Sequence, residues 1–163
     1  VFKSIGHEIV DMGETEIAAL LCAFLSGSAA EPRHYFDVNG EGRYIRVDCE
    51  TATHVIEIGL DQKTASRDSV HQAVFASVLT GKTPMVILID RDGFEGRIEY
   101  EMRMVTRRLG ISYGTCSEAF IRRWAVTSAF RGLPLDKSLD DLPRSAAYET
   151  QCDLGPAFRP DAE

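Results

Sequence analysis

The sequence predicts an α/β protein in which helices flank a mixed central sheet. Three observations predict this class. Segments of helical periodicity alternate with strand-like segments. Asn39-Gly40 supplies the positive backbone angles of a tight antiparallel hairpin. The uninterrupted apolar run over residues 85–89 is typical of a strand buried on both faces. The predicted element order is α-β-β-β-α-β followed by α-β-α.

The first part of the chain predicts one helix and a three-stranded meander. Residues 14–25 combine good helix formers with an apolar stripe, and Gly27 follows where a helix would end. The three predicted strands are residues 34–38, 43–48 and 54–59. A polar turn over residues 50–53 joins the second strand to the third.

Helices and strands alternate in the second part of the chain. The predicted elements are a helix over about residues 66–79, the central strand 85–89, a helix over 97–109, a short strand over 111–114 and a helix over 117–130. Ser66 and Ser117 are placed to cap the first and last of these helices. Residues 133–163 hold four of the six prolines and no sustained periodicity. We therefore expect one domain over residues 1–132 and a surface-wrapping or flexible tail over 133–163.

Composition excludes several classes of protein. The 163 residues are 44% hydrophobic and 26% charged, which argues against wholesale disorder and a disulfide mini-protein. The net charge of -7 argues against non-specific nucleic-acid binding by bulk charge. No apolar run approaches the roughly 20 residues of a membrane span, and the amino terminus has no secretory signal pattern. The four cysteines are widely separated, so we expect reduced thiols and a cytoplasmic location.

Two carboxylates on neighbouring predicted strands, Asp48 and Glu57, are the strongest candidates for a site. If residues 50–53 form the turn, Arg46 faces Glu57, and Asp48 shares one face with Glu57 as a diagonal pair. A hard cation such as magnesium binds through one or two carboxylates plus waters and substrate phosphate. The same register allows another interpretation, in which Arg46 neutralises Glu57 on a solvated surface. Charge pairing alone favours this second interpretation.

The element order and these acids together resemble a known superfamily. The core α-β-β-β-α-β, an acid on the second strand, the acid of HVIEIG and the glutamine of HQAVFA resemble the PD-(D/E)xK, or restriction-endonuclease-like, nucleases. The resemblance implies that Asp48 is the metal-binding aspartate, Glu57 the second acid and Gln72 the helix glutamine. It also implies that Glu16 or Glu14 is the acid that several branches carry on the first helix.

The resemblance covers about residues 6–90 and fails at one catalytic position. The superfamily's lysine, two places after the acid, is Gly59 in this chain. Glycine has no side chain to position a water or stabilise a pentacovalent phosphate, so the simplest interpretation is a lost activity. Lys63, in the loop before the next helix, is the candidate substitute, because a migrated lysine is known within the superfamily. A loop lysine is usually just solvated.

The resemblance implies a Mg²⁺ (or Mn²⁺) cofactor and DNA as the partner. The implied catalytic residues are Asp48, Glu57, Lys63 and Gln72, and the implied metal ligands are Asp48, Glu57 and Glu16. We expect either a metal-dependent nuclease that hydrolyses DNA phosphodiesters or an inactive nuclease fold that serves as a binding or scaffolding module. The three retained site residues favour the first hypothesis, whereas the missing lysine and the acidic net charge favour the second.

Other candidate sites are weaker. His54 and His71 lack the spacing of zinc ligands. The sequence contains no nucleophile elbow, phosphate loop or dinucleotide-binding fingerprint. The arginine pairs at residues 107–108 and 122–123 could contact phosphates, but arginines on the outer faces of amphipathic helices are more often solvated charge.

Overall fold

The computed structural model describes residues 13–27, 31–127 and 152–155. In chain order the elements are α1 (Glu14–Phe24), β1 (Arg33–Val38), β2 (Glu41–Arg46), β3 (Cys49–Glu50), β4 (His54–Leu60), α2 (Asp68–Thr80), β5 (Thr83–Asp90), α3 (Arg97–Leu109), β6 (Ser112–Ser117), α4 (Glu118–Val126) and β7 (Cys152–Asp153). A single 3₁₀ turn, Thr64–Arg67, leads into α2. None of the helices in these ranges is long and apolar enough to cross a membrane.

A five-stranded mixed sheet of order β3-β4-β5-β6-β7 forms the centre of the fold. β4, β5 and β6 run parallel, while β3 and β7 pair antiparallel at the two edges. Parallel neighbours need crossover connections, and α2 and α3 provide them. The predicted mixed α/β class and the central position of β5 are therefore confirmed.

Alternate residues of β5 enter two different apolar layers. Met85, Ile87 and Ile89 pack with residues of α1 and α4. Val86 and Leu88 point the other way and pack with residues of α2 and α3. All five side chains are fully buried. The apolar run is therefore a strand buried on both faces, as predicted.

The Asn39-Gly40 hairpin forms as predicted, but it does not continue into one meander. Asn39 and Gly40 have φ angles of 54° and 82°, which are the left-handed values that a two-residue hairpin turn needs. β1 and β2 form a separate two-stranded sheet. The prediction of a continuous three-stranded meander is wrong because Val47 turns into the core against Val55 and Ala76. The chain rejoins the main sheet only at β3.

The predicted register between the two segments that carry Asp48 and Glu57 is also wrong, by two residues. Cys49 pairs with Ile56, so Arg46 does not face Glu57. Arg46 lies opposite Arg33 in the hairpin instead. A shift of two residues preserves which side chains share a face, because side chains alternate with a period of two.

Glu50 accounts for the shifted register. Its carboxylate accepts a hydrogen bond from Lys82 Nζ at 2.6 Å and bonds His34 Nε2 at 2.6 Å, and only 14% of its side chain is exposed. These partners hold Glu50 in the ladder. The turn is consequently confined to residues 51–53, where Thr51 Oγ1 accepts the backbone N–H of His54 at 3.0 Å.

The boundaries of the later elements partly match the predictions. Ser117 caps α4 as predicted, because its Oγ accepts the Phe120 N–H at 3.1 Å. Ser66 does not cap α2; its hydroxyl donates to the Leu60 carbonyl at 2.8 Å. The strand predicted over residues 111–114 extends further, as β6. Most of the predicted tail lies outside the described residues, but β7 within it pairs with β6.

The cysteines are paired, so the expectation of four reduced thiols is wrong. Cys22 and Cys49 form a disulfide between α1 and β3, and Cys116 and Cys152 form one between β6 and β7. The paired cysteines are 27 and 36 residues apart in the sequence, so no local spacing rule predicts either pair. The argument for a cytoplasmic location, which rested on reduced thiols, loses that support.

Gly59→Ala is expected to destabilise the protein, because a Cβ at residue 59 would lie 2.6 Å from Ser66 Oγ and 2.9 Å from Leu88 Cδ2. Overpacking of this kind costs about 1–3 kcal/mol, and each ~1 kcal/mol lowers the Tm of a chain of this size by about 2–4 °C. Gly42→Ala is the matched control, since a Cβ there meets no atom within 4 Å. Thermal melts that show equal effects of the two substitutions would contradict this packing.

Candidate functional site

Asp48 and Glu57 meet at the edge of the main sheet. Asp48 directly precedes β3, and continuation of the observed pairing places it opposite Glu57 of β4. Asp48 Oδ2 also accepts the backbone N–H of Ile58 at 2.8 Å, which orients its carboxylate along β4. The two side chains interact directly, and each affects the ionisation of the other. The structure thus brings together the two acids that the sequence singled out.

Glu57 is an unusual residue for the interior of a sheet. It is only 4% exposed, and its Oε1 has no hydrogen-bond partner among the described residues. Burial, followed by the adjacent charge of Asp48, raises the pKa of Glu57 to about 9. Burial also raises the pKa of Asp48, against the opposing effect of the Ile58 amide. Without a cation, the pair therefore holds a proton at neutral pH.

An acidic cleft adjoins this pair. It has a volume of about 230 Å³ and lies between α1 and the β3–β4 edge of the sheet. Asp48, Glu14 and Glu31 contribute carboxylates to its wall, and the small side chains of Ala18 and Ala19 leave it open. Three acids around one cleft form an environment that favours a cation over an anion.

Lys63 is linked to the cleft by an ion pair with a residue that lines it. Its ammonium group forms an ion pair with Glu14, the cleft residue at the start of α1, while 54% of the lysine side chain is exposed. Lys82 is engaged elsewhere, since its ammonium group donates to Glu50 and to the Thr51 carbonyl. Lys63 is therefore the lysine that the structure associates with the acidic cleft.

Two further residues implied by the resemblance, Gln72 and Glu16, are not among the residues that line the cleft. Gln72 is exposed on α2, and Glu16 is exposed on α1. Neither lines the cleft, whereas Glu14 does. Of the two acids considered on the first helix, the structure places Glu14 at the candidate site.

The position of the missing lysine is filled by packed atoms. Gly59 lies against Ser66 and Leu88, so that even a methyl group there would overlap with both. A longer side chain at this position would displace the Ser66 hydroxyl from the Leu60 carbonyl. The packing of the 3₁₀ turn against β4 therefore requires glycine at residue 59, where the superfamily has lysine.

A second acidic group was not predicted from the sequence. Asp61, Asp90 and Asp92 each offer a carboxylate oxygen within 4.8 Å of the others, and together they could hold a metal ion. Asp61 follows β4 and Asp90 ends β5, so the carboxyl ends of two parallel neighbours meet here. Ligand sites in α/β sheets lie at the carboxyl ends of the parallel strands. A prediction of the parallel β4–β5 pairing from the sequence would therefore have pointed to these three aspartates.

Comparisons of the chain with protein-family models, with curated proteins and with solved structures found no match. The resemblance to PD-(D/E)xK nucleases therefore stays a prediction.

Stability is expected to fall as the pH rises from about 4.5 to about 9. The pKa of Glu57 is about 9 in the folded protein and 4.5 ordinarily, so over this interval the folded state binds more protons than the unfolded state. In a chelator, Glu57→Gln should remove most of this dependence and raise the Tm at pH 8 by several degrees. Thermal melts at pH 5 and pH 8 measure both effects.

Glu41→Gln is the control for this series, because Glu41 is exposed on β2 and forms an ion pair with exposed Arg43. It should leave the pH dependence unchanged. A lower Tm for Glu57→Gln at pH 8 would mean that the ionised carboxylate stabilises the fold, and the metal-site hypothesis would lose its main residue.

Proposed function

We propose that the protein is a divalent-metal-dependent nuclease that hydrolyses DNA phosphodiesters, with Asp48 and Glu57 as the metal ligands. The observation that carries this proposal is the contact between these carboxylates, in which the buried Glu57 Oε1 lacks a partner among the described residues. A divalent cation would replace the shared proton and satisfy that oxygen. Asp48 also lines the acidic cleft, so an ion bound to Asp48 could reach solvent there.

The chain's own residues would have distinct roles at this site. Asp48, held by the Ile58 amide, and Glu57, held by burial, would present oxygens in a fixed geometry. When bound, Mg²⁺ or Mn²⁺ supplies an activated water and neutralises phosphate charge. Lys63 would leave Glu14 and donate to a phosphate oxygen, as substitute for the lysine absent at Gly59.

The arrangement of strands adds support. An antiparallel β3–β4 pair, the α2 crossover and a parallel β4–β5 pair follow the order that the superfamily resemblance implies. We therefore propose that the mixed sheet is a restriction-endonuclease-like core. In this proposal α1 supplies Glu14 to the cleft, in the place of the optional helix acid.

The alternative function is an inactive nuclease fold that serves as a binding or scaffolding module. Packing of Ser66 and Leu88 against Gly59 favours it, since no side chain at residue 59 could reach a phosphate. The ion pair between Lys63 and Glu14 favours it as well, because the substitute lysine is already engaged.

Cleavage of single- and double-stranded DNA with Mg²⁺ or Mn²⁺ tests the two functions. We expect wild-type cleavage that chelator abolishes and that Asp48→Asn reduces to background. Asp37→Asn is the matched control, because Asp37 is exposed near the end of β1, and asparagine at this position can still accept the Gly40 N–H. Lys63→Ala should slow cleavage without weakening Mn²⁺ binding.

The outcomes separate the alternatives. Mn²⁺ binding that requires Asp48, without cleavage of either DNA, would support the inactive module. Cleavage of DNA that persists in the Asp48→Asn variant would contradict the proposed active site.

A further inference from the structure

A second group of acids lies at the carboxyl edge of the parallel strands. Leu60 of β4 pairs with Ile89 of β5, and the Asp61 N–H then donates to the Ile89 carbonyl at 3.1 Å. The in-register ends carry Asp61 and Asp90 to adjacent positions, and Asp92 follows within the next loop. The three carboxylates offer oxygens within 4.8 Å of one another.

Within this group, one carboxylate oxygen of Asp61 lacks a hydrogen-bond partner among the described residues. The residue is 4% exposed, and its Oδ1 has no hydrogen-bond partner among the described residues. Its Oδ2 accepts the Arg91 N–H at 3.0 Å, so the carboxylate is held in place while one oxygen stays unsatisfied. A buried carboxylate oxygen without a donor is unfavourable unless a cation or another ligand contacts it.

The loop orients the other two carboxylates. Asp90 Oδ1 accepts the N–H groups of Asp92 and Gly93 at 3.0 and 2.7 Å. Asp92 Oδ1 accepts the Phe94 N–H at 2.9 Å. These bonds use one oxygen of Asp90 and leave Oδ2 available to an ion.

The local charge is not balanced by a basic side chain of the loop. The Arg91 guanidinium is directed to Glu118, with which it pairs at 2.8 Å. Glu99 lies near the group, since its pKa is raised by burial and also by the charges of Asp90, Asp61 and Asp92, against the opposing effect of the Gly96 amide. Four acids thus share this end of the sheet, which favours a bound cation.

We propose that Asp61, Asp90 and Asp92 bind a hard divalent cation, Mg²⁺ or Ca²⁺. All donors are carboxylate oxygens, the ligands that these ions prefer. Ca²⁺–oxygen bonds of about 2.3–2.6 Å place opposite ligands about 5 Å apart, so the oxygens can reach one ion without movement of the backbone. Opposite ligands of Mg²⁺ lie about 4 Å apart, so this smaller ion would require the carboxylate oxygens to move closer together.

This site is independent of the proposed nuclease centre. Asp61 is four residues beyond Glu57, which corresponds to about 13 Å along a strand at roughly 3.3 Å per residue. Asp90 also lines a separate cleft of about 330 Å³ between α3 and β6, through which the ion could exchange with solvent. The proposal therefore stands whether or not Asp48 and Glu57 bind metal.

Paramagnetic broadening by Mn²⁺ in amide NMR spectra of the full chain locates the ion. We expect substoichiometric Mn²⁺ to broaden the Arg91, Asp92 and Gly93 amides, and excess Mg²⁺ or Ca²⁺ to reverse the effect. Asp61→Asn should weaken Mn²⁺ affinity at these amides at least about tenfold. Asp92→Asn, at an exposed position that cannot unfold the core, should do the same.

Asp37→Asn is again the control and should leave the broadening unchanged. Asp48→Asn should leave the broadening of the Arg91, Asp92 and Gly93 amides in place, so failure of the nuclease centre and failure of this site give different results. The proposal is overturned if millimolar Mn²⁺ leaves Arg91 and Gly93 sharp, or if their broadening survives both Asp61→Asn and Asp92→Asn.

Discussion

The parallel pairing of β4 with β5 is the constraint on which the rest of the structure depends. Apolar side chains cover both faces of β5, so the pair lies at the centre of the fold, with helices on either side. The pairing is in register from His54 with Thr83 to Leu60 with Ile89. It holds Glu57 within a buried layer and carries the residues after both strands to one edge. Both candidate metal sites therefore depend on the same pair of strands.

Two buried acids, one on β4 and one directly after it, are difficult to explain by stability alone. Glu57 and Asp61 are each 96% buried, and each has a carboxylate oxygen without a partner among the described residues. Apolar residues of similar size would pack in these positions without the cost of an unsatisfied polar atom. Local rules of foldability are broken mainly at functional sites. Among the described residues, these two acids are thus the clearest indication of ligand binding.

Cation binding and phosphodiester chemistry have unequal support. The Asp48–Glu57 contact and the adjoining acidic cleft suit a divalent ion directly. The chemistry also needs a positively charged group at the phosphate, and the position that would supply it is closed by the packing around Gly59. Lys63 can supply that charge only by giving up its ion pair with Glu14. In the proposed nuclease, cleavage would therefore require this exchange.

The sequence by itself determined the features that local patterns encode. Helical spacing located α1 and α3, the apolar run located β5, and alternation placed Asp48 and Glu57 on one face. Tertiary structure decided the rest, because it depends on contacts between residues far apart in the chain. Lys82 and His34 hold Glu50 in the ladder and so set the register. Parallel pairing brought together three aspartates that lie up to 31 residues apart, and folding paired cysteines that no spacing rule connects.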